Sequence, residues 1–244
     1  MTILVTGGSS GIGRAIAIHW ASRGHDVIVN YHANDDAAHA TREQIEECGQ
    51  RAFLVKADLA TPEGIQALIA AAREHADHLS LYAHCAALAV TGGALTVAPE
   101  ELSAAIAVNG TSLIPITQGV LPLLRRGSSV IYLSSQGATR VIKSYVALGP
   151  PKSLGEALIR YLAVELAPLG VRANTVAAGA LDTPAFRTMF GEVAQRRLDA
   201  AAAANPSGRR LDFTDVIAAV ELLTAPDASM VQGQTLMVDG GTSL

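Results

Sequence analysis

The chain has 244 residues, half of them hydrophobic and only 16% charged, with a formal net charge of −4. It is long enough for one large α/β domain or two small ones, and the composition excludes a disordered chain. The slight negative balance gives no electrostatic reason to expect nucleic-acid or anionic-membrane partners.

No apolar run reaches the ~18–20 residues that would span a bilayer. The first strand signal begins at residue 2 and leaves no room for a signal peptide, so a cytoplasmic protein is the expectation. Cys48 and Cys85 lack metal-ligand spacing and are too few for a disulfide framework, so no metal site is expected.

Strand and helix signals alternate along the chain. "TILVT" is a β-branched run, followed by a helical segment from Gly11 to Arg23 that stops at Gly24. "DVIVNY" is a second strand, and "DDAAHATREQIEECG" a helix with acidic residues in its first turn and a closing glycine. "RAFLVKADL" is a third strand. Thr61 and Pro62 then form an N-cap and first helical position, opening a helix to about residue 75. "LSLYAHCA" is a fourth strand. A long helical stretch is predicted over 99–124, with Pro115 and Pro122 limiting it. "SSVIYLSS" is a fifth strand, and the helix after it carries Leu154, Leu158, Tyr161, Leu162 and Leu166 on one face. "VRANTVAA", a helix at "DVIAAVELLT" and a strand at "QTLMVDGG" close the chain. This alternation predicts a single Rossmann-like, doubly wound parallel sheet covered by helices on both faces. The material over 182–205 lies between the sixth strand and the last helix, beyond the strand C-termini, where ligands bind in such sheets.

"TGGSSGIGR", residues 6–14, joins the first strand to the first helix. Gly7, Gly11 and Gly13 allow a tight turn and close backbone approach. The helix N-terminus behind them offers N–H groups and partial positive charge to a pyrophosphate, with Ser9, Ser10 and Ile12 in the same turn.

This segment resembles the cofactor signature of the short-chain dehydrogenase/reductases, spaced T-G-x-x-x-G-x-G, and the resemblance covers essentially the whole chain. It implies that Asp58, with Leu59, meets the adenine and that Asn109 is the family's helix-four asparagine, supporting the active-site lysine through a water. After the fourth strand the family's N-N-A-G is replaced by His84-Cys85-Ala86-Ala87. Small residues are kept where the backbone must approach the cofactor, while asparagine amides that tie neighbouring strands are lost. An acidic residue ending strand two would bind the ribose of NAD. This chain has Asn30, Tyr31 and His32 there, with no carboxylate until Asp35, and Arg14 follows the glycine loop; both features favour NADPH.

Lys152 occupies the family's lysine position, where the resemblance gives it two roles: anchoring the nicotinamide ribose and lowering the pKa of a proton-donating tyrosine. The usual tyrosine four residues earlier is absent, and Leu148 stands there. Tyr145 lies seven residues before Lys152, giving Y-x6-K. That spacing, with Gly137, Arg140 and Gly149 in register, resembles the NADPH-using enoyl-acyl-carrier-protein reductases of this superfamily. Pro150 and Pro151 place the regular helix start near 147–149, with Tyr145 in the turn leading in. Ser134 matches the family serine, three residues before Gly137, whereas Ser135 stands where enoyl reductases often put a second substrate-facing residue. Gly179, Leu181 and Thr183 are expected at the nicotinamide end, and Phe186 and Phe190 over an acyl chain.

The resemblance implies a small-molecule or carrier-bound acyl substrate and a homodimer or homotetramer. Reduction of an enoyl thioester is the favoured expectation. A biosynthetic ketoreductase and a cofactor-binding protein without turnover stay open.

Overall fold

A computed structural model describes Met1–Leu244. Seven strands form one parallel sheet: β1 (Thr2–Thr6), β2 (Asp26–Tyr31), β3 (Ala52–Lys56), β4 (Leu79–His84), β5 (Leu124–Ser135), β6 (Arg172–Ala178) and β7 (Thr235–Val238), in the order β3-β2-β1-β4-β5-β6-β7. The order reverses between β1 and β4, so the loops leaving these two strands diverge and open a crevice at the carboxyl edge.

The helices are α1 (Gly11–Ser22), α2 (Asp35–Glu47), α3 (Pro62–His75), α4 (Pro99–Ile106), α5 (Leu113–Val120), α6 (Gly149–Leu166), α7 (Pro184–Phe190), α8 (Ala194–Ala204) and α9 (Phe213–Thr224). Their starts follow local chemistry. Asn34 accepts from the N–H of Ala37 to cap α2, and Thr61 accepts from Gly64 with Pro62 inside α3. Asp212 and Asp215 close a capping box on α9.

The side-chain alternation of the strands divides the core into two layers. Leu4, Ile28, Tyr82, Val130 and Tyr132 point to one face and pack with Leu68, Ile116, Ile159 and Leu162 of α3, α5 and α6. Ile3, Val5, Val29, Leu81, Ile131 and Leu133 point to the other, against Ile16, Trp20, Val216 and Val220 of α1 and α9.

One expectation is borne out with a change of regularity and two are corrected. The helical stretch over 99–124 is present as Pro99–Leu123, but α4 passes into a π-helical turn at Ala107–Thr111, then α5, then a 3-10 turn at Leu121–Leu123. Pro115 has no N–H to give the preceding turn, and Pro122 ends the helix. Strand β5 starts at Leu124 rather than Ser128, with a register shift opposite Leu79–Leu81 and Gly127 at φ 94° inside the irregular stretch. Finally, the helical run Pro99–Leu123 is by length and composition apolar enough to cross a membrane. Here it packs as a core layer, with Ile116 and Val120 buried against the sheet and Asn109, Ser112 and Thr117 buried and hydrogen-bonded. The 182–205 segment is helical, as α7 and α8, and is pinned by buried Met189, Ala194 and Leu198 and by a Thr91 hydroxyl bond to the Met189 carbonyl, 3.1 Å.

Candidate active site

The glycine loop is built on backbone against backbone. Gly7 and Gly11 have φ of 61° and 53°, a region that suits glycine. A Cβ on Gly13 would lie 2.3 Å from the Gly7 carbonyl oxygen, and one on Gly7 2.8 Å from Ala86 Cα. Ser10 is the N-cap of α1 but its side chain makes no cap bond, so the first-turn N–H groups carry no side-chain acceptor. The Thr6 hydroxyl accepts from the N–H groups of Cys85 and Ala86, at 3.1 and 3.2 Å, and ties β1 to the end of β4. Sequence reading missed this role of Thr6; it supplies a tie where the family's asparagines are absent. Ser9 accepts from Thr41 of α2, and Ala87 is exposed at the crevice. Gly11 faces Thr183, 3.5 Å from where its Cβ would be, so the start of α7 closes over the loop.

Asn30 does not face the crevice. It is 2% exposed, and its amide donates to the carbonyls of Val55 and Ala57 and accepts from Gly7 N–H. Its expected place as a cofactor contact is corrected: it joins β2 to β3 and to the glycine loop. Tyr31 is buried too, and its hydroxyl donates to Asp35, 2.9 Å, whose other oxygen pairs with Lys56 at 2.7 Å. These two bonds hold the Asp35 carboxyl below the usual carboxylate range, the Lys56 bond first. The first carboxylate after β2 is thus already occupied. Arg14 is half-buried beside the loop and has no acidic partner. His32 is exposed, 3.8 Å from Asp58, whose other oxygen accepts from Ala60 N–H. Leu59 and Leu181 are core residues, so only their backbones can serve a ligand. Gly179 is packed on Asp239, 2.9 Å from its Cβ to the glycine's would-be one.

The second half of the site lies beyond β5. Tyr145 precedes α6, and its carbonyl accepts from Leu148 and Gly149 to start that helix. Its hydroxyl is 3.2 Å from Ser135 Oγ, which also accepts from Gly137 N–H at 3.1 Å. Burial pushes the Tyr145 pKa up, and the Ser135 bond opposes this only in part. The Phe190 ring lies parallel to Tyr145 with centroids 6.1 Å apart; Phe186 packs on Phe190, and the Arg197 guanidinium caps it at 4.3 Å.

Ser134 points the other way. It shares the face of Tyr132, is 6% exposed, and donates to Glu156 of α6 at 2.5 Å. The choice left open between the two serines therefore resolves geometrically: Ser135 stands with Tyr145, and Ser134 is held beneath α6. Lys152 is 4% exposed, and Nζ donates to the Leu133 carbonyl at 2.7 Å and lies 4.8 Å from the Tyr132 ring centroid. Burial lowers its pKa to about 8, opposed by Cys85 and Glu156. Lys152 shares no hydrogen bond with Tyr145, and it is burial that sets the direction of the tyrosine's shift. Asn109 is fully buried on the π-helical turn; its side chain clamps Leu88 and reaches Ala147. Its carbonyl accepts from the Tyr132 hydroxyl. Asn109 shares no hydrogen bond with Lys152; Tyr132, whose hydroxyl meets the Asn109 carbonyl and whose ring faces the ammonium, stands between them. Tyr132 is the residue sequence reading missed. Its signal was Gly155, a glycine inside a helix opposite a bulky strand residue.

A family model described as enoyl-(acyl carrier protein) reductase matches residues 7–243. The chain belongs to the short-chain dehydrogenase/reductase family. It is an oxidoreductase of that family. It is 32% identical over 241 residues to 1-cyclohexenylcarbonyl-CoA reductase of Streptomyces collinus, covering 99% of this chain and 86% of the relative. It superposes with TM-score 0.89 on a short chain dehydrogenase from Burkholderia cenocepacia J2315 in complex with NADP, at 28% identity and covering 99% and 97% of the two chains. It superposes with TM-score 0.87 on the angucycline C-6 ketoreductase LanV with bound NADP, at 30% identity and covering 99% and 95%. The family uses a nicotinamide dinucleotide, and the chain fits one. A helix N-terminus without a side-chain cap backs onto glycines that admit no Cβ, at the switch point of the sheet.

Proposed function

We propose that this reductase uses NADPH to reduce the carbon–carbon double bond of an α,β-unsaturated thioester. The observation that carries the reading is the Tyr145–Ser135 hydroxyl pair, in a partly buried pocket where tyrosine stays protonated. The glycine loop, Arg14 and Lys152 would hold the cofactor, with the backbone at Asp58 and Gly179 flanking it. When bound, NADPH supplies the hydride for the β-carbon.

The chain's own groups do the rest. As charge develops on the thioester oxygen, a protonated Tyr145 donates to it. Ser135, fixed by Gly137 N–H, adds a second hydroxyl. Because burial raises the Tyr145 pKa, the hydroxyl remains a donor at neutral pH, which suits holding an enolate oxygen. Phe186 and Phe190 exclude water and offer an apolar cover to the acyl group. The relative from Streptomyces collinus is named for an unsaturated acyl thioester, which supports this choice.

Keto reduction is the second reading. The same hydroxyl pair can hold a ketone oxygen, and LanV is named a ketoreductase. NADPH oxidation with crotonyl and cyclohexenylcarbonyl thioesters, against a β-ketoacyl thioester and a cyclic ketone, separates the two. Turnover of the ketones alone would sink the enoyl reading, and turnover of neither class would sink both.

For the cofactor, Asp35 is occupied and Arg14 is free, a pairing that favours a 2′-phosphate over a bare ribose. Titration with NADPH and NADH by fluorescence tests it, and tighter NADH would overturn it. Self-association as a dimer or tetramer rests on Tyr161 and Val164 of α6, which are 71% and 74% exposed on one helix. A monomeric mass by light scattering at micromolar concentration would refute it.

A further inference from the structure

Tyr132 lies three residues before the end of β5 and is wholly buried. It belongs to the larger core cluster, but its hydroxyl bond and its closest packing are with the parts that surround Lys152. Its hydroxyl donates to the main-chain carbonyl of Asn109 on the π-helical turn. Its ring face lies 4.8 Å from Lys152 Nζ. The ring sits in a notch in α6, where a Cβ on Gly155 would be 2.1 Å from Cζ and 2.3 Å from the hydroxyl oxygen. Gly155 lies inside an 18-residue helix, where glycine is among the worst formers. The notch is what permits a tyrosine rather than an aliphatic residue at this point.

The ammonium has few partners. The Leu133 carbonyl and the Tyr132 ring face it from β5, while Cys85 and His84 lie towards it from the end of β4. Glu156, one turn on in its own helix, is the carboxylate nearby and is held by Ser134. Burial keeps His84 neutral, with a pKa near 3, and raises the Cys85 thiol to about 12, so neither supplies charge at neutral pH. A desolvated cation in this setting gains from the negative face of an aromatic ring. The hydroxyl bond to Asn109 fixes the far end of the ring, and close packing in the Gly155 notch holds the ring face towards the ammonium.

We infer that Tyr132 is a positioning residue for the cofactor-holding lysine: anchored on the Asn109 carbonyl and seated in the Gly155 notch, its ring holds the Lys152 ammonium in place. The inference rests on the reading of Lys152 as a cofactor contact, and it does not depend on which substrate is reduced.

The test is NADPH affinity without substrate, read by fluorescence from pH 6 to 10 in wild type, Tyr132→Phe, Tyr132→Leu and Leu162→Ala. Leu162 is in the same helix and core cluster, so its variant controls for loss of packing alone. Wild-type affinity should be full below about pH 8 and fall above it, since the protonated lysine is the binding form. Tyr132→Phe keeps the ring but loosens its far end, and should weaken NADPH by about threefold, the scale of one modest hydrogen bond. Tyr132→Leu removes the ring face, and should weaken NADPH by about tenfold and move the alkaline limb to lower pH. Leu162→Ala should lower the melting temperature and leave both readouts unchanged. Tyr132→Phe conserves shape, so it keeps the test alive if Tyr132→Leu does not fold; an unchanged NADPH affinity in Tyr132→Phe overturns the inference. So does a Leu162→Ala variant that reproduces the Tyr132 effects. A wild type that binds NADPH but reduces no enoyl thioester would sink the proposed reaction and leave this inference standing. A wild type that binds no NADPH would sink both.

Discussion

The loop after β1 and the loop after β5 both end at the same crevice, yet they are held by different means. In the first, the turn itself is made locally, and contacts from Asn30, Ala86 and Thr41 only brace it. Positive φ at Gly7 and Gly11 and a backbone contact at Gly13 turn the chain into α1 within a few residues. In the second, thirteen residues, Gln136–Leu148, separate the strand from α6, and Tyr145 is fixed by contacts from elsewhere. Gly92 donates to the Ser144 carbonyl, Asn109 reaches the Ala147 carbonyl, and Gly137 leaves room for the ring. A loop made by backbone geometry binds a cofactor common to a family. A loop made by tertiary contact can move a proton donor by a helical turn and so change the reaction.

Removing the donor should have the largest effect. Tyr145→Phe is expected to cut turnover by about 10²-fold or more, the scale of general acid catalysis, with NADPH affinity near wild type. Adding Leu148→Tyr should not restore activity, because Leu148 is buried, 7% exposed, and a hydroxyl there would sit about one helical turn from that of Tyr145. A Tyr145→Phe turnover within about twofold of wild type, far below that scale, would remove the second loop from the chemistry altogether.

The two loops should also respond differently to one added methyl. At Gly13 the new Cβ meets carbonyl oxygen and carbon of Gly7, 2.3 and 2.9 Å away, and the backbone has nowhere to go. Gly13→Ala should cost about 1–3 kcal/mol of stability, as overpacking does, and abolish NADPH binding. At Gly137 the new Cβ meets Cε1 of Tyr145 at 2.5 Å, a side chain that can swing aside. Gly137→Ala should keep NADPH affinity and lose turnover. Denaturant melts with cofactor titration decide it: if Gly137→Ala also loses NADPH, the two loops are not separable as argued.

Within the first loop, Arg14 should matter for one cofactor and not the other. Arg14→Ala is expected to weaken NADPH by about 1–3 kcal/mol, the range of a charge-assisted contact, and to leave NADH nearly unchanged. Equal losses for the two cofactors would show that Arg14 supports the loop rather than a 2′-phosphate.

The same contrast explains what the sequence made legible. The seven strands, the glycine loop and the helix starts after Thr61 and just before Pro150 follow from rules that act over a few residues. The role of Asn30 was not readable, because facing the crevice or the sheet interior is a choice of side-chain direction that one residue of register inverts. The roles of Ser134 and Ser135 were hidden for the same reason. Alternation along β5 puts them on opposite faces, but which face carries α6 is decided by the crossover, not by the serines. The break at Ala107–Thr111 was obscured by an apolar pattern that continues across it. Tyr132 and Gly155 read as strand and helix residues until the packing of β5 on α6 brings them together.

The smallest expected effect tests whether the second loop's shape, and not its side chains, sets Tyr145. Ser144 is the one non-glycine residue with positive φ, 63°, and its hydroxyl makes no hydrogen bond. Its carbonyl accepts from Gly92 N–H at 3.1 Å, and Tyr145 bridges to Gly92, so the left-handed residue turns the chain to deliver the tyrosine. For a residue with a Cβ that conformation costs roughly 1 kcal/mol. Ser144→Gly relieves that cost but gives the unfolded chain more freedom, worth about 0.4–1 kcal/mol in the opposite direction. The two nearly cancel, so the urea midpoint should barely move and turnover should hold. Ser144→Val places a β-branched residue in the same conformation, and should cost about 1–3 kcal/mol and lower turnover by misplacing Tyr145. A Ser144→Gly variant that loses tenfold in turnover at unchanged stability would show that the serine side chain itself serves the site, and that the loop's backbone path alone does not place the tyrosine.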